Sequence, residues 1–258
     1  MDNAAILIVV ALAQERRALE GLLESALRWR TEEFRAVSGR LAGRAIVLIQ
    51  AGVGQERSHR ALMAAAQWYS VRAALSLGFA GGLVESLGVG ALVLPSTVQD
   101  DDDPPGHVLH AAPARTAVAS ALEAAGIAFH GGSLLSVHSP LRTPEAKRAA
   151  HQRTGAIAVD MEAAGVALAA QQLGIPWLAL KAVVDPVDEP LQEFLAEATT
   201  EQGELRWRNL LWSAVAGTER RRVLGTLRRA AHQATLRLRR ALEVACRPGR
   251  LDAPEPVQ

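Results

Sequence analysis

The sequence predicts an α/β fold: a single three-layer domain with a mixed, largely parallel central sheet flanked by helices, plus a C-terminal basic helical extension. Three observations predict it. Short apolar runs alternate with amphipathic stretches over the first two-thirds of the chain, the pattern of strands covered on both faces by helices. The first run, Ile6 to Val10, is β-branched except at Leu7, as suits a strand buried on both sides. The chain has 258 residues, 49% hydrophobic and 21% charged, enough to bury one substantial core.

Taken in order, residues 4–12 read as a strand and the stretch through Leu19 and Leu23 as a helix. Residues 34–38 and 45–50 read as a hairpin around Leu41-Ala42-Gly43. A helix near His59–Trp68 precedes a strand over 73–77 and a turn at "GFAGGL". Residues 91–98 form another strand, and the acidic, proline-containing "DDDDPPG" reads as a solvated loop. A helix around 116–125, a strand over 133–137 and a helix opened by Pro144 follow. The strand at 156–161 feeds a helix over 163–173, and 177–184 is the last strand. Beyond about residue 200, Leu224, Leu227, Ala231, Ala234, Leu238, Ala241 and Ala245 recur at helical spacing, with Arg221, Arg228, Arg229, His232 and Arg239 on another face. The expected division is 1–200 as the catalytic domain, 201–247 as the basic helical extension and 248–258 as a disordered tail.

The apolar start of the chain ends in Ala11-Leu12-Ala13, which a secretory signal would also present. A signal needs a basic leading region, and Met1, Asp2 and Asn3 provide none, so the run is read as a strand that delivers Glu15 to the sheet's rim. The single cysteine, Cys246, excludes an intramolecular disulfide and a cysteine zinc site. No apolar run reaches the roughly 18 residues of a membrane-crossing helix. A cytoplasmic location is expected, peripheral on the inner face of the membrane if the basic segment meets lipid.

Ligands of open α/β sheets bind at the carboxyl ends of strands. Those positions hold Glu15; Gly52 and Gly54; Gly78, Gly81 and Gly82; His138; Asp160, Met161 and Glu162; and Asp185. Three separate carboxylate sites thus fall on one rim. Each has a plainer explanation: Glu15 and Glu162 open helices, where an acid complements the dipole, and Asp185 precedes Pro186 in a turn. A lone His138 is more often structural, and the glycines do not spell a dinucleotide-binding fingerprint. It is their convergence that points to chemistry.

The stretches "ALAQERRAL", "AGVGQERSHRA", "GFAGGL", "GAIAVDMEAAGVA" and "LALKAVVDPVDEP" resemble, in order and spacing, the motifs of the purine-nucleoside phosphorylase and nucleosidase superfamily. Within it the chain most resembles the hopanoid-associated (adenosylhopane-cleaving) branch and is similar to methylthioadenosine/S-adenosylhomocysteine nucleosidase. "TPEAKRAAHQRTGAIAVDMEAAGVA" and the arginine-rich extension favour that branch. The resemblance implies release of adenine from a 5′-substituted adenosine, with no cofactor and no metal. It implies Asp185 as the acid at the purine N7, Glu15 as the base that activates water, and Glu162 holding the ribose hydroxyls. Met161 packs on the sugar, and Asp160, Phe79, Ala80, Gly81 and His138 complete the substrate-binding set. Phe79 stands where nucleosidases often carry a small hydroxyl residue, and "SVHSPLRTP" lacks the aromatic that stacks on adenine, leaving His138 or Leu141 to cover that face.

Phosphorolytic members carry a Gly-Asp-Pro-x-Arg segment after the first strand. Here "ALAQE" puts Glu15 where the phosphate-gripping arginine would be, which favours hydrolysis, although Arg16 and Arg17 follow and leave phosphorolysis as the alternative. The rival class is a non-catalytic lipid- or nucleic-acid-associated module that retains the fold.

From Arg206 to Arg250 there are twelve arginines and two acids, a net +10. Three explanations are open: a helix packed on the domain with its arginines solvated, a helix lying on anionic lipid with Trp207 and Trp212 at the interface, or a nucleic-acid grip. No recognised nucleic-acid motif supports the third, and no nucleic-acid partner is expected. The resemblance implies a homo-oligomer, expected as a dimer, with "DDDDPPGHVLH" completing a neighbour's site.

Overall fold

A computed structural model describes residues 4–101, 108–189 and 218–251, with the backbone alone over 218–224. The elements, in chain order, are β1 (Ala5–Val10), α1 (Ala13–Glu20), β2 (Glu24–Arg30), β3 (Arg35–Leu41), β4 (Arg44–Gln50), α2 (Gln55–Ala66) and β5 (Val71–Gly82). There follow β6 (Leu92–Val93), β7 (Thr97–Asp100), β8 (Val108–His110), α3 (Ala114–Ala124), β9 (Ser133–Ser136), α4 (Pro144–Thr154), β10 (Ala158–Asp160), α5 (Ala163–Gln172), β11 (Trp177–Asp185) and α6 (Thr218–Ala245).

The strands form one mixed sheet ordered β2-β3-β4-β1-β5-β10-β9-β7-β8, with β11 alongside β5 and β6 alongside β11. Strand β1 runs parallel to β4 and β5, and β11 is parallel to β5. As predicted, β1 is buried throughout, and its alternate side chains serve opposite layers. Ala5, Leu7 and Val9 join the core under α2 and α5, while Ile6, Ile8 and Val10 join the core under α1, α3 and α6. Helices α2 and α5 approach so closely that a Cβ on Gly165 would stand 2.0 Å from the Gln55 carbonyl oxygen, so only glycine fits there.

Several expectations change. Residues 24–30, which lie between the expected helix and the expected hairpin, are strand β2, paired antiparallel with β3. Its side chains are almost all exposed, so it carries no alternating apolar signal. "GFAGGL" is not a turn, because β5 continues through Gly82. The single strand expected over 91–98 is two, β6 and β7, separated at Pro95, which has no N–H to continue a ladder. Val108–His110, at the end of the acidic loop, is a strand paired with β7; residues 102–107 lie outside the described residues.

The long basic helix is present, and its apolar stripe is occupied. Ala234, Leu238, Ala241, Leu242 and Ala245 are buried in the core they share with β1, β5 and β11. Arg239 donates to the Ala18 carbonyl at the end of α1, and Gln233 donates to the Val89 carbonyl at 3.3 Å. The helix therefore forms part of one outer layer, and its stripe is not free to enter lipid. Trp207 and Trp212 lie outside the described residues. Leu251 is buried in the same core, and residues 252–258, the rest of the expected tail, lie outside the described residues. Among the described residues no helix is long and apolar enough to cross a membrane.

Candidate active site

The site is built on the last third of β5, where glycines let acidic side chains approach the backbone. Gly78 pairs with Lys181 of β11, and a Cβ on Gly78 would lie 2.8 Å from Glu15 Oε1. Gly81 pairs with Asp185, and a Cβ there would lie 3.0 Å from Asp185 Oδ2 and 3.1 Å from Val159 Cγ1. An irregularity between Val183 and Asp185 shifts the register by one, bringing Asp185 opposite Gly81 instead of Gly82. Two of the three glycines of "GFAGG", Gly78 and Gly81, are thus clearances for carboxylates, and Gly82 makes room for Leu87 and Pro186.

Glu15 lies in the first turn of α1 and is buried. Its Oε2 accepts from the Ala11 N–H at 3.1 Å and the Leu12 N–H at 2.8 Å, and its Oε1 accepts from the Phe79 N–H at 3.0 Å. The corner between β1 and α1 and the last third of β5 therefore grip one side chain. Burial pushes its pKa above the usual carboxylate range, against the lowering pull of the Leu12 N–H, Lys181 and the other two N–H donors.

Beside it, Lys181 is buried in β11 with Nζ 2.7 Å from Asp160 Oδ2. Burial works against its charge, but Asp160, Glu162 and Glu15 outweigh burial and hold its pKa above the ordinary lysine value. Glu162, at the start of α5, accepts from the Gly54 N–H at 3.3 Å. Gly54 sits at φ 115°, a conformation that favours glycine, at the start of α2. Burial pushes the Glu162 pKa up to about 8, with Asp160 and Glu15 adding to the rise and Lys181 opposing it. Glu15, Asp160, Glu162 and Lys181 thus form one electrostatically linked group drawn from four elements.

Asp185 ends β11 with its side chain 14% exposed, so a ligand can reach it. Burial raises its pKa, and the Lys147 ammonium, 2.9 Å from Oδ2, opposes the rise.

Among the other expected substrate contacts, Asp160 is committed to protein partners. Its Oδ1 accepts from Ser136 Oγ at 2.8 Å, and its Oδ2 accepts from the Ala163 N–H at 2.9 Å as well as from Lys181. That engagement suits holding α5 and Lys181 in place more than touching a ligand. Phe79 offers its N–H to Glu15 and packs its ring, half-buried, into the α6-side core. Ala80 is buried in β5 opposite Val183. Met161 and Leu141, both partly buried, pack on Leu83, Val137 and Val159, an apolar wall beside Gly81. His138 is exposed just past β9.

Two lysines escaped the sequence reading. Lys181 could have been found, because a single lysine inside the otherwise apolar "WLALKAVV" is a burial anomaly, and buried lysines need partners. Lys147 had no such signal, since it stands beside Arg148 on a helix that looks evenly polar.

The phosphorylase superfamily model matches residues 5–216. The 5'-methylthioadenosine/S-adenosylhomocysteine nucleosidase of Mycobacterium bovis is 25% identical over 214 residues, covering 69% of this chain and 84% of its own. That of Bacillus cereus is 25% identical over 196 residues, covering 70% and 85%. Among solved structures, the 5'-methylthioadenosine/S-adenosylhomocysteine nucleosidase of Neisseria meningitidis, in complex with methylthio-immucillin-A, superposes with a TM-score of 0.72 at 19% identity, covering 93% of this chain and 97% of that one. Native futalosine hydrolase of Helicobacter pylori gives 0.75 at 16% identity, covering 94% and 97%. These structures share the fold, and the match over most of its length makes this chain a member of the phosphorylase superfamily.

Proposed function

We propose that this protein is a nucleosidase that hydrolyses the N-glycosidic bond of a 5′-substituted adenosine and releases adenine. The observation that carries this reading is a pair of separately housed acids lying over one strand, β5: Glu15 over Gly78 and Asp185 over Gly81. Asp185, its pKa raised, protonates the purine N7 as the C1′–N9 bond breaks and its electrons pass to N9. Glu15 takes a proton from the water that attacks C1′. Glu162, electrostatically linked to Lys181, Asp160 and Glu15, binds the ribose hydroxyls.

Water is favoured over phosphate because the first turn of α1 presents a buried carboxylate. The adjacent guanidinium is engaged elsewhere: Arg16 lies 2.7 Å from Glu20 Oε2 and donates to Gln50 Oε1 at 3.1 Å. Arg17 is exposed. The relatives named nucleosidases agree with this reading. Incubation with methylthioadenosine, S-adenosylhomocysteine and an adenosyl-hopanoid, with and without phosphate, tests it. Adenine and a free sugar are expected without phosphate; strict phosphate dependence with a sugar-1-phosphate product would reverse the assignment.

For the 5′ group, adenosylhopane is our reading, on the sequence resemblance and on one feature of α6. The exposed face of that helix carries Arg228, Arg229, His232, Arg237 and Arg240 around Leu236, itself 53% exposed, with Glu243 as an acid among them. Such a face adsorbs to anionic lipid at about 1 kcal/mol per arginine near the surface. Co-flotation with phosphatidylglycerol vesicles is expected at low salt and lost at high salt. Equal flotation with neutral vesicles, or none with either, would leave the substrate without a lipid tail as the better reading.

A further inference from the structure

We infer that Lys147 is a positioning residue for base release, holding Asp185 in place and stabilising the carboxylate left once Asp185 has given up its proton; this rests on the hydrolytic reading above. Lys147 comes from α4, an element that contributes no other group to the site, and its side chain is fully buried. Beyond Asp185 Oδ2, its Nζ donates to three backbone carbonyls: Asp185 at 3.1 Å, Pro186 at 2.8 Å and Glu189 at 2.9 Å. Four oxygens thus surround one ammonium, three of them on the turn that carries the acid out of β11.

A buried ammonium is costly unless its charge is compensated. Backbone pinning alone could be done by a neutral donor, so the charge needs a purpose. Both Asp185 oxygens lie over Gly81, and Lys147 pairs with Oδ2, so Oδ1 is the oxygen we assign to the ligand. In the step, the proton passes from the Asp185 carboxyl to purine N7 while the C1′–N9 pair goes to N9. The new negative charge then faces Lys147 directly. The ammonium so strengthens the acid at the moment it acts. The other groups facing Asp185 are Glu189, which disfavours its charge, and the apolar positions Gly81 of β5 and Val159 of β10.

Lys147→Met, Lys147→Gln and the charge-preserving Lys147→Arg test this, with pH profiles of kcat and kcat/KM on an adenosine that the wild type cleaves. Removing the charge is expected to lower kcat about 100-fold, with KM within about threefold. It also moves the alkaline limb of kcat/KM up by about one pH unit, because a more easily protonated Asp185 stays in its acid form to higher pH. Lys147→Arg is expected to recover part of the rate and keep the wild-type limb. An unmoved limb in the neutral variants, or loss of the folded circular dichroism signal in all three, overturns the inference in favour of a purely structural lysine. No base release by the wild type on any nucleoside would instead remove the hydrolase reading itself.

Discussion

Replacing Glu15 by Gln is expected to lower kcat about a thousandfold, the upper part of what a positioned base contributes, while leaving the fold intact. The side chain is nearly isosteric, and the charge lost is one that burial already disfavours. One local cost is predictable. All three groups around Glu15 are N–H donors, and an amide has one acceptor oxygen where a carboxylate has two. The Phe79 N–H would then face an NH₂ group, costing about 1–3 kcal/mol, which melting temperature reports separately from turnover. Gly78→Ala is the companion variant. Its methyl would stand 2.8 Å from Glu15 Oε1, so the carboxylate must move, and activity should fall with the side chain chemically unchanged. Rates within tenfold of wild type in both variants would show that Glu15 is not the base.

Stability is expected to fall as pH rises from about 5 to 8, and Glu162→Gln is expected to remove most of that slope. The sign follows from proton binding. In the native state Glu162 holds its proton up to about 8, whereas in the unfolded chain it titrates near 4.5. The native state therefore binds the proton more tightly between those values. Its advantage is complete below about 4.5 and is lost as pH climbs through 8. Glu15 and Asp185, both raised by burial, act in the same direction. The effect expected for Glu162 is a few kcal/mol, or roughly 5–10 °C in Tm for a domain of this size. Thermal melts of wild type and Glu162→Gln across this range check it. Parallel curves for the two proteins would mean that Glu162 is ionised throughout.

How far the residues alone reach can be judged element by element. β1 was legible because six buried apolar residues in a row have few other uses, and α5 because "AAGVALAA" is small and apolar all round. β2 was invisible: an exposed edge strand needs only backbone pairing, which leaves no pattern in side chains. The glycine-rich end of β5 was misread as a turn for a related reason. Gly78 and Gly81 make room for neighbouring carboxylates, and a sequence records the missing Cβ but not what fills the space. The arginines of α6 announced a basic face, yet only packing revealed that the apolar stripe beneath them was taken.

What the sequence determined by itself is the chemistry carried at strand ends: acids at 15, 162 and 185, glycines at 78 and 81, and the alternation that builds a sheet between helical layers. Those depend on local period and residue type. The tertiary structure alone decided the partners: Lys181 among three carboxylates, Lys147 under Asp185, and the one-residue shift that brings Asp185 opposite Gly81. Partnership depends on distance through space and on burial, where a charge's energy is set by neighbours tens of residues away.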